Sequence, residues 1–321
     1  MKKTILLSNH YDEKPFTILQ SIVGEEFELK MLSSATQECL EASVRDADYL
    51  LVSGRLYIGE SVIKNAPRLK MIQRTGVGMD NMDLECFRKH QIPLYVNAGV
   101  NAVSVAEHTV MLMLATLRKA YKVNNQLRSG VWKKQATGLT THELRGKKVG
   151  IVGMGTIGKH VVEMLSGFGV EILYFDMHRL SAEQEQMLGV VYTDLKKLLA
   201  QVDIITLHCP ANGQYLLDFE EFACMKDGVI IINTARGSLI HTNALVDALK
   251  TGKVSGCGID TYESEPVDSN HPLLEFENAI LSPHIAGVTY ESFHRMLACG
   301  IENIKKFDSG NEKELEEYRV W

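Results

Sequence analysis

Along its first hundred residues the chain alternates between two spacings of apolar side chains. Short apolar runs, many of them β-branched or aromatic, read as strands at residues 3–8, 27–32, 49–53, 69–74 and 92–97. Between them apolar residues return at helical spacing near residues 16–23, 37–47, 59–65 and 84–90. Such alternation predicts a parallel α/β sheet. Residues 102–128 then read as one long helix whose first half is apolar on nearly every face, including Val103, Val105, Ala106, Val110, Met111, Leu112, Met113 and Leu114. A helix of that kind suits burial at a domain or subunit junction, and Ser104 with Glu107 has the spacing of a capping box near its start. Residues 132–142 read as a polar loop. The alternation resumes with strands at 149–152, 170–175, 203–207, 228–233, 254–260 and 279–281 and helices near 161–168, 194–200, 218–225 and 243–251. This predicts a second, doubly wound domain of about six strands. Residues 290–308 read as a last helix, expected to return to the first domain, ahead of a charged tail at 311–317.

Composition narrows the class. A length of 321 residues fits two domains at roughly 150 residues each. With 45% hydrophobic and 23% charged residues the chain has the make-up of an ordinary globular protein. A net charge of -6 argues against nucleic acid as the main partner. No apolar run approaches the roughly 20 residues of a membrane span. The apolar stretch after Met1-Lys2-Lys3 is too short for a signal peptide, so a cytoplasmic location is expected. The six cysteines (39, 86, 209, 224, 257 and 299) include no Cys-x-x-Cys pair and read as scattered reduced thiols. No metal-ligand spacing stands out, and no metal is expected.

One stretch carries a specific signal. The apolar run Val149-Gly150-Ile151-Val152 stops at Gly153-Met154-Gly155-Thr156-Ile157-Gly158, and a helical pattern follows. Strand, glycine turn and helix in that order suit a dinucleotide: Gly153 for the turn, Gly155 for backbone approach to the pyrophosphate, Gly158 for packing of helix on strand. The helix start offers unpaired N–H groups and a positive dipole end to phosphate. A second strand ends in Asp176, 18 residues past Gly158, close to the roughly 20 expected for the acid that holds an adenosine ribose 2′-OH. A carboxylate there repels a 2′-phosphate, which favours NAD, although His178 and Arg179 follow closely.

Three later strand ends carry reactive groups. Asn233-Thr234-Ala235 runs into Arg236, Asp260 leads to Glu265-Pro266, and Ser282-Pro283 leads to His284. Ligands of doubly wound sheets lie beyond the carboxyl ends of the strands. An arginine there can grip a carboxylate, a histidine can exchange a proton near neutral pH, and a carboxylate beside it can orient the ring and stabilise its charged form. Hydride transfer on a 2-hydroxy or 2-oxo acid requires those parts. The loop from Arg74 through Gly76, Val77 and Gly78 to Asn81 also follows a strand and brings backbone N–H groups to a sheet edge.

The chain resembles the D-2-hydroxyacid dehydrogenase family, and within it the phosphoglycerate dehydrogenases most. The resemblance lies in residues 76–81, Val105-Ala106-Glu107-His108-Thr109, Gly153 to Gly158, residues 233–237, Asp260 with Glu265-Pro266, and Ser282-Pro283-His284. It implies two doubly wound parallel-sheet α/β domains, with a Rossmann NAD-binding domain (101–288) inserted into a flavodoxin-like substrate domain (1–100, completed by 289–321). It implies Arg236, Glu265 and His284 as the catalytic set, a 2-oxo or 2-hydroxy acid as substrate, and a homodimer built on the NAD-binding domains. Thr156 and Ile157 would cover the pyrophosphate and Asp176 the ribose. His208, Cys209 and Pro210 would line the adenine side. Thr109, Thr234, Ala235, Arg236, Asp260 and His284 would lie toward the nicotinamide, with Asp260 near its carboxamide. Backbone at Val77 and Gly78 would hold the substrate carboxylate, and Arg74 matches an arginine that some members use near a substrate phosphate. The run Ala211-Asn212-Gly213-Gln214-Tyr215 and Met177 depart from the family's pattern. Glyoxylate, hydroxypyruvate or another 2-oxo acid is the alternative substrate to phosphohydroxypyruvate, and an NAD-sensing protein of corepressor type is the alternative of another class.

Overall fold

A computed structural model describes residues 2–54 and 56–321. The chain divides into two units: Met1–Asn101 with Tyr290–Trp321, and Ala102–Thr289. Among the described residues no helix is long and apolar enough to cross a membrane.

The first unit is a five-stranded parallel sheet built from β1 (Lys3–Leu7), β2 (Phe27–Met31), β3 (Tyr49–Val52), β4 (Met71–Arg74) and β5 (Leu94–Val96), in the order β2-β1-β3-β4-β5. Side chains alternate between its faces. Leu6, Leu50, Val52, Ile72 and Leu94 form one core with Leu40, Val44, Val62, Ile63 and Phe87. Those partners come from α2 (Gln37–Ser43) and the turn after it, α3 (Glu60–Lys64) and α4 (Leu84–His90). Ile5, Leu7, Tyr49, Leu51, Met71 and Tyr95 form the other core, with Leu19 and Val23 of α1 (Glu13–Val23) and residues of the C-terminal helix. Because helices cover both faces, the strands read as continuous apolar runs. Each such side chain contributes about 1.5–3 kcal/mol on burial.

The second unit contains α5 (Ala102–Leu117), α6 (Ala120–Arg128), α7 (Lys134–Gly138), β6 (Lys148–Val152), α8 (Thr156–Leu165), β7 (Glu171–Phe175), α9 (Ala182–Leu188), β8 (Val190–Tyr192), α10 (Leu195–Gln201), β9 (Ile204–Leu207), α11 (Phe219–Cys224), β10 (Val229–Asn233), α12 (Thr242–Thr251), β11 (Val254–Ile259) and β12 (Ala279–Leu281). Its seven parallel strands run in the order β12-β11-β10-β9-β6-β7-β8. The chain reverses direction across the sheet between β6 and β9, the switch point at which such folds bind ligands.

The C-terminal helix α13 (Tyr290–Asp308) belongs to the first unit. Leu297, Ile301 and Ile304 are its core contacts. Buried Asn97 donates to the Met296 carbonyl at 2.6 Å and accepts from Gln73 at 2.9 Å, so α13 is tied to the sheet by polar as well as apolar contacts. Asp308 accepts from Lys3 and Tyr49. Beyond the helix, Arg319 bridges Tyr95 and the Val320 N–H donates to the Leu94 carbonyl at 2.9 Å, so this segment lies along the edge of β5.

Four local expectations give way, the first being the polar loop at 132–142, which holds the short helix α7. The helix expected over 102–128 breaks at Lys119, which is left-handed at φ 50; the Leu117 carbonyl then accepts from His142 rather than continuing a helix. Ser104 caps nothing, because α5 already begins at Ala102 and the buried Ser104 hydroxyl faces Thr289 at 3.4 Å. The sheet has a seventh strand, β8, only three residues long and joined to β7 alone. Its neighbour α9 carries clear end signals, a Ser181–Gln184 capping box and a left-handed Gly189 at φ 65.

Candidate active site

Two glycines of the turn after β6 answer to contacts. Gly153 has φ 99, and a Cβ there would lie 2.6 Å from the His208 carbonyl at the end of β9. A Cβ on Gly158 would lie 2.3 Å from the Gly153 oxygen, so α8 could not sit against the turn. Gly155, the N-cap of α8, has nothing within 4 Å of its Cβ position. That open face, together with the N–H groups of Thr156 and Ile157, fits a pyrophosphate.

Asp176, just past β7, accepts from the Met154 N–H at 2.7 Å and the His178 N–H at 2.8 Å. The glycine turn and the acid are thereby locked together. Arg179 faces elsewhere. Its Nε and Nη2 donate to the two Glu185 oxygens at 2.8 and 3.0 Å, and its guanidinium lies 5.0 Å from the centre of the Tyr192 ring. Glu185 also accepts from Tyr174 at 2.7 Å, and the Arg179 hydrogen bonds followed by the Tyr174 one hold its carboxyl down to about 2. At the end of β9, burial pushes the His208 imidazole down to about 3, leaving it neutral, and its Nε2 meets the Thr206 hydroxyl at 2.9 Å. Burial raises the Cys209 thiol to about 11. Pro210 is exposed.

The β10 end is shaped by Asn233, which is buried. Its Nδ2 donates to the Arg236 carbonyl at 2.8 Å and its Oδ1 accepts from the Ala235 N–H at 3.0 Å, folding Thr234-Ala235-Arg236 into a turn. Thr234 meets Thr109 of α5 at 2.9 Å between hydroxyls.

Asp260 follows β11 and is wholly buried. It accepts from the Ser282 hydroxyl at 2.5 Å, the Ile285 N–H at 3.0 Å and the Ala286 N–H at 2.9 Å. His108 of α5 stands 3.0 Å from the Ser282 hydroxyl. Because that hydroxyl donates to Asp260, His108 Nε2 donates to it. This network closes the loop around His284, whose φ is 56, a left-handed conformation uncommon outside glycine. His284 Nδ1 lies 2.8 Å from Glu265 Oε2, and Glu265 Oε1 accepts from the Tyr262 N–H at 3.0 Å. The histidine side chain is 44% exposed and the glutamate 16%. An ionised Glu265 requires a proton on Nδ1, which leaves Nε2 to exchange a proton with a ligand.

The structure therefore places Gly153, Gly155, Gly158, Thr156, Ile157, Asp176, His208, Cys209, Pro210, Thr109, Thr234, Ala235, Arg236, Asp260, Glu265 and His284 in one unit, and joins Glu265 to His284 directly. Arg74, the last residue of β4, and Val77 and Gly78 after it stand in the other unit. The Val77 and Gly78 N–H groups have no backbone partner among the described residues, and Val77 is half exposed. Asn81 anchors that loop by donating to the Leu56 carbonyl at 2.6 Å. Four supporting residues were not singled out from the sequence: Asn233, Tyr262, Ser282 and His108. Ser282 and Asn233 had a signal in their place at strand ends beside candidate residues, and His108 in the segment Val105-Ala106-Glu107-His108-Thr109 that carries the resemblance.

Comparison with known proteins bears on the fold and the family. The model of the D-isomer specific 2-hydroxyacid dehydrogenase NAD binding domain matches residues 110–286. A glyoxylate reductase of Aeropyrum pernix is 37% identical over 282 residues, 85% of this chain and 83% of that protein. A D-3-phosphoglycerate dehydrogenase of Methanocaldococcus jannaschii is 36% identical over 307 residues, 94% of this chain but 57% of that protein. A solved D-lactate dehydrogenase from Aquifex aeolicus, complexed with NAD and lactic acid, shares the fold with a TM-score of 0.88 at 28% identity over 99% of both chains. A glycine turn, an acid past the following strand and a histidine–glutamate pair at consecutive strand ends, with these likenesses, place the chain in the D-isomer specific 2-hydroxyacid dehydrogenase family, enzymes that use NAD.

Proposed function

We propose that the enzyme interconverts a small, unphosphorylated 2-oxo acid, of glyoxylate or hydroxypyruvate size, with its 2-hydroxy acid. The His284–Glu265 pair carries the reaction. His284, charged and held through Nδ1 by Glu265, gives its Nε2 proton to the carbonyl oxygen of the 2-oxo acid as C2 is reduced. In reverse it takes the hydroxyl proton. Arg236 binds the substrate carboxylate and polarises the carbonyl. Bound NAD supplies or accepts the hydride. Gly155, Thr156 and Ile157 would hold its pyrophosphate and Asp176 its ribose; His208, Cys209 and Pro210 would line the adenine, and Thr109, Thr234, Ala235 and Asp260 the nicotinamide side. Val77 and Gly78 are proposed to hold the substrate carboxylate through their N–H groups.

The preference for an unphosphorylated substrate rests on the glyoxylate reductase relative, matched along most of its length, and on Arg74, whose Nε and Nη1 are shielded from solvent. Phosphohydroxypyruvate is the second reading, favoured by the phosphoglycerate dehydrogenase relative at similar identity. A homodimer through the NAD-binding unit is also proposed. It is supported by α6, which buries none of its residues, and by exposed Leu127, Trp132 and Leu139 nearby in sequence.

Steady-state assays with NADH over a panel of 2-oxo acids should give the highest kcat/KM on glyoxylate or hydroxypyruvate, and Arg74→Ala should leave it nearly unchanged. A preference for phosphohydroxypyruvate that Arg74→Ala abolishes would replace the first reading by the second. His284→Ala should lower kcat about 10²–10⁴-fold while NADH binding, followed by fluorescence, persists; near-normal turnover rules out its role. Glu185→Ala should release Arg179 and raise kcat/KM for NADPH without changing that for NADH, and an unaltered NADPH value contradicts the role given to the Arg179–Glu185 pair. Sedimentation should show a dimer that Trp132→Ser with Leu139→Ser weakens; a wild-type monomer disproves the dimer.

A further inference from the structure

Glu60, Cys86 and His90 converge on the surface of the first unit, in the family's substrate domain rather than the NAD-binding one. Cys86 and His90 are four residues apart on α4 and so share a face, and Glu60 opens α3 opposite them. Cys86 Sγ lies 3.2 Å and His90 Nε2 3.1 Å from the same oxygen, Glu60 Oε2. All three donor atoms lie within 4.8 Å of one another. Donors bound to one zinc ion at about 2.0–2.3 Å stand about 3–4 Å apart in a tetrahedron, so the three need little movement to share an ion.

The surroundings favour the same use. Lys64 and Lys89 both engage Glu60 Oε1, each at 3.3 Å, which turns Oε2 toward the thiol and the imidazole. Cys86 is buried and its N–H is held by Asp83 at 2.9 Å. His90 is the last residue of α4, where the helix dipole favours a cation, and its exposure leaves room for a water as fourth ligand. We propose that Glu60 Oε2, Cys86 Sγ and His90 Nε2 form a site for a divalent transition-metal ion, Zn²⁺, with water in the fourth position. On binding, the Cys86 S–H bond breaks, its electron pair goes to zinc and its proton to solvent. Nε2 of His90 gives its lone pair, with the ring proton on Nδ1. The ion then clips α3 to α4. The alternative is a hydrogen-bonded triad that two lysines neutralise and that takes no metal.

The full-length protein, stripped with chelator and titrated anaerobically with Co²⁺ as the probe, separates the two. A thiolate-to-cobalt charge-transfer band should grow to saturation at one equivalent and disappear on adding Zn²⁺. Cys86→Ser should abolish it, and His90→Gln should weaken Co²⁺ binding at least about tenfold. Zn²⁺ should raise the Tm of the wild type but not of His90→Gln. Absence of the band at millimolar Co²⁺, or a band that survives His90→Gln unchanged, overturns the proposal. His90 is exposed, so this variant decides the matter even where Cys86→Ser fails to fold.

Discussion

The loop that carries His284 depends on the buried carboxylate of Asp260. A charge without water must be met by donors. The donors here are the Ser282 hydroxyl and the N–H groups of Ile285 and Ala286. They bracket His284 in sequence, so satisfying the charge also sets the histidine's backbone. Hydrogen bonds to a charged group contribute about 1.5–3 kcal/mol each. A non-glycine residue in a sparsely populated conformation costs roughly 1–3 kcal/mol. Three such bonds outweigh one left-handed residue, which is how the loop sustains His284 at φ 56. Glu265 then needs only to hold the ring, and it does so on a carboxylate itself fixed by the Tyr262 N–H.

A second balance of charges governs the far end of the same unit. Read from the sequence, Asp176 and Arg179 oppose each other as determinants of the ribose site. In the fold they do not compete, because Glu185 and Tyr192 take up the arginine. The arginine's partner thus stands nine positions from Asp176.

Most of the architecture was legible because the two periods of apolar residues are long-range consequences of burial on both sheet faces. Residues 3–7, 49–52 and 229–233 could be little else than strands. The misreadings share a cause: they turn on contacts with no periodic trace. Nothing in the sequence of Arg118 and Lys119 announces a break, since neither is glycine or proline; tertiary packing of His142 on Leu117 supplies it. Ser104 has the spacing of a cap but lies inside the helix. β8 is too short to show a period. Among the candidate site residues, Gly153, Asp176, Glu265 and His284 stood out by their places at strand ends. The partner of His108 was not legible, since it lies 174 residues away at Ser282, and Tyr262 acts through its backbone N–H, which no side-chain pattern reveals.

The last thirty residues carry a consequence for biogenesis. α13 and the segment pairing with β5 are part of the first unit's core and edge, although the whole second unit is synthesised between them and β5. During translation the second unit has all its strands as soon as β12 emerges, and local contacts let it fold as a block. The first unit must wait with one face of its sheet covered only by α1 and with the β5 edge unpaired. Its completion depends on contacts across nearly the full chain, the slow class of folding event, and for that interval the nascent protein offers an apolar sheet face to chaperones.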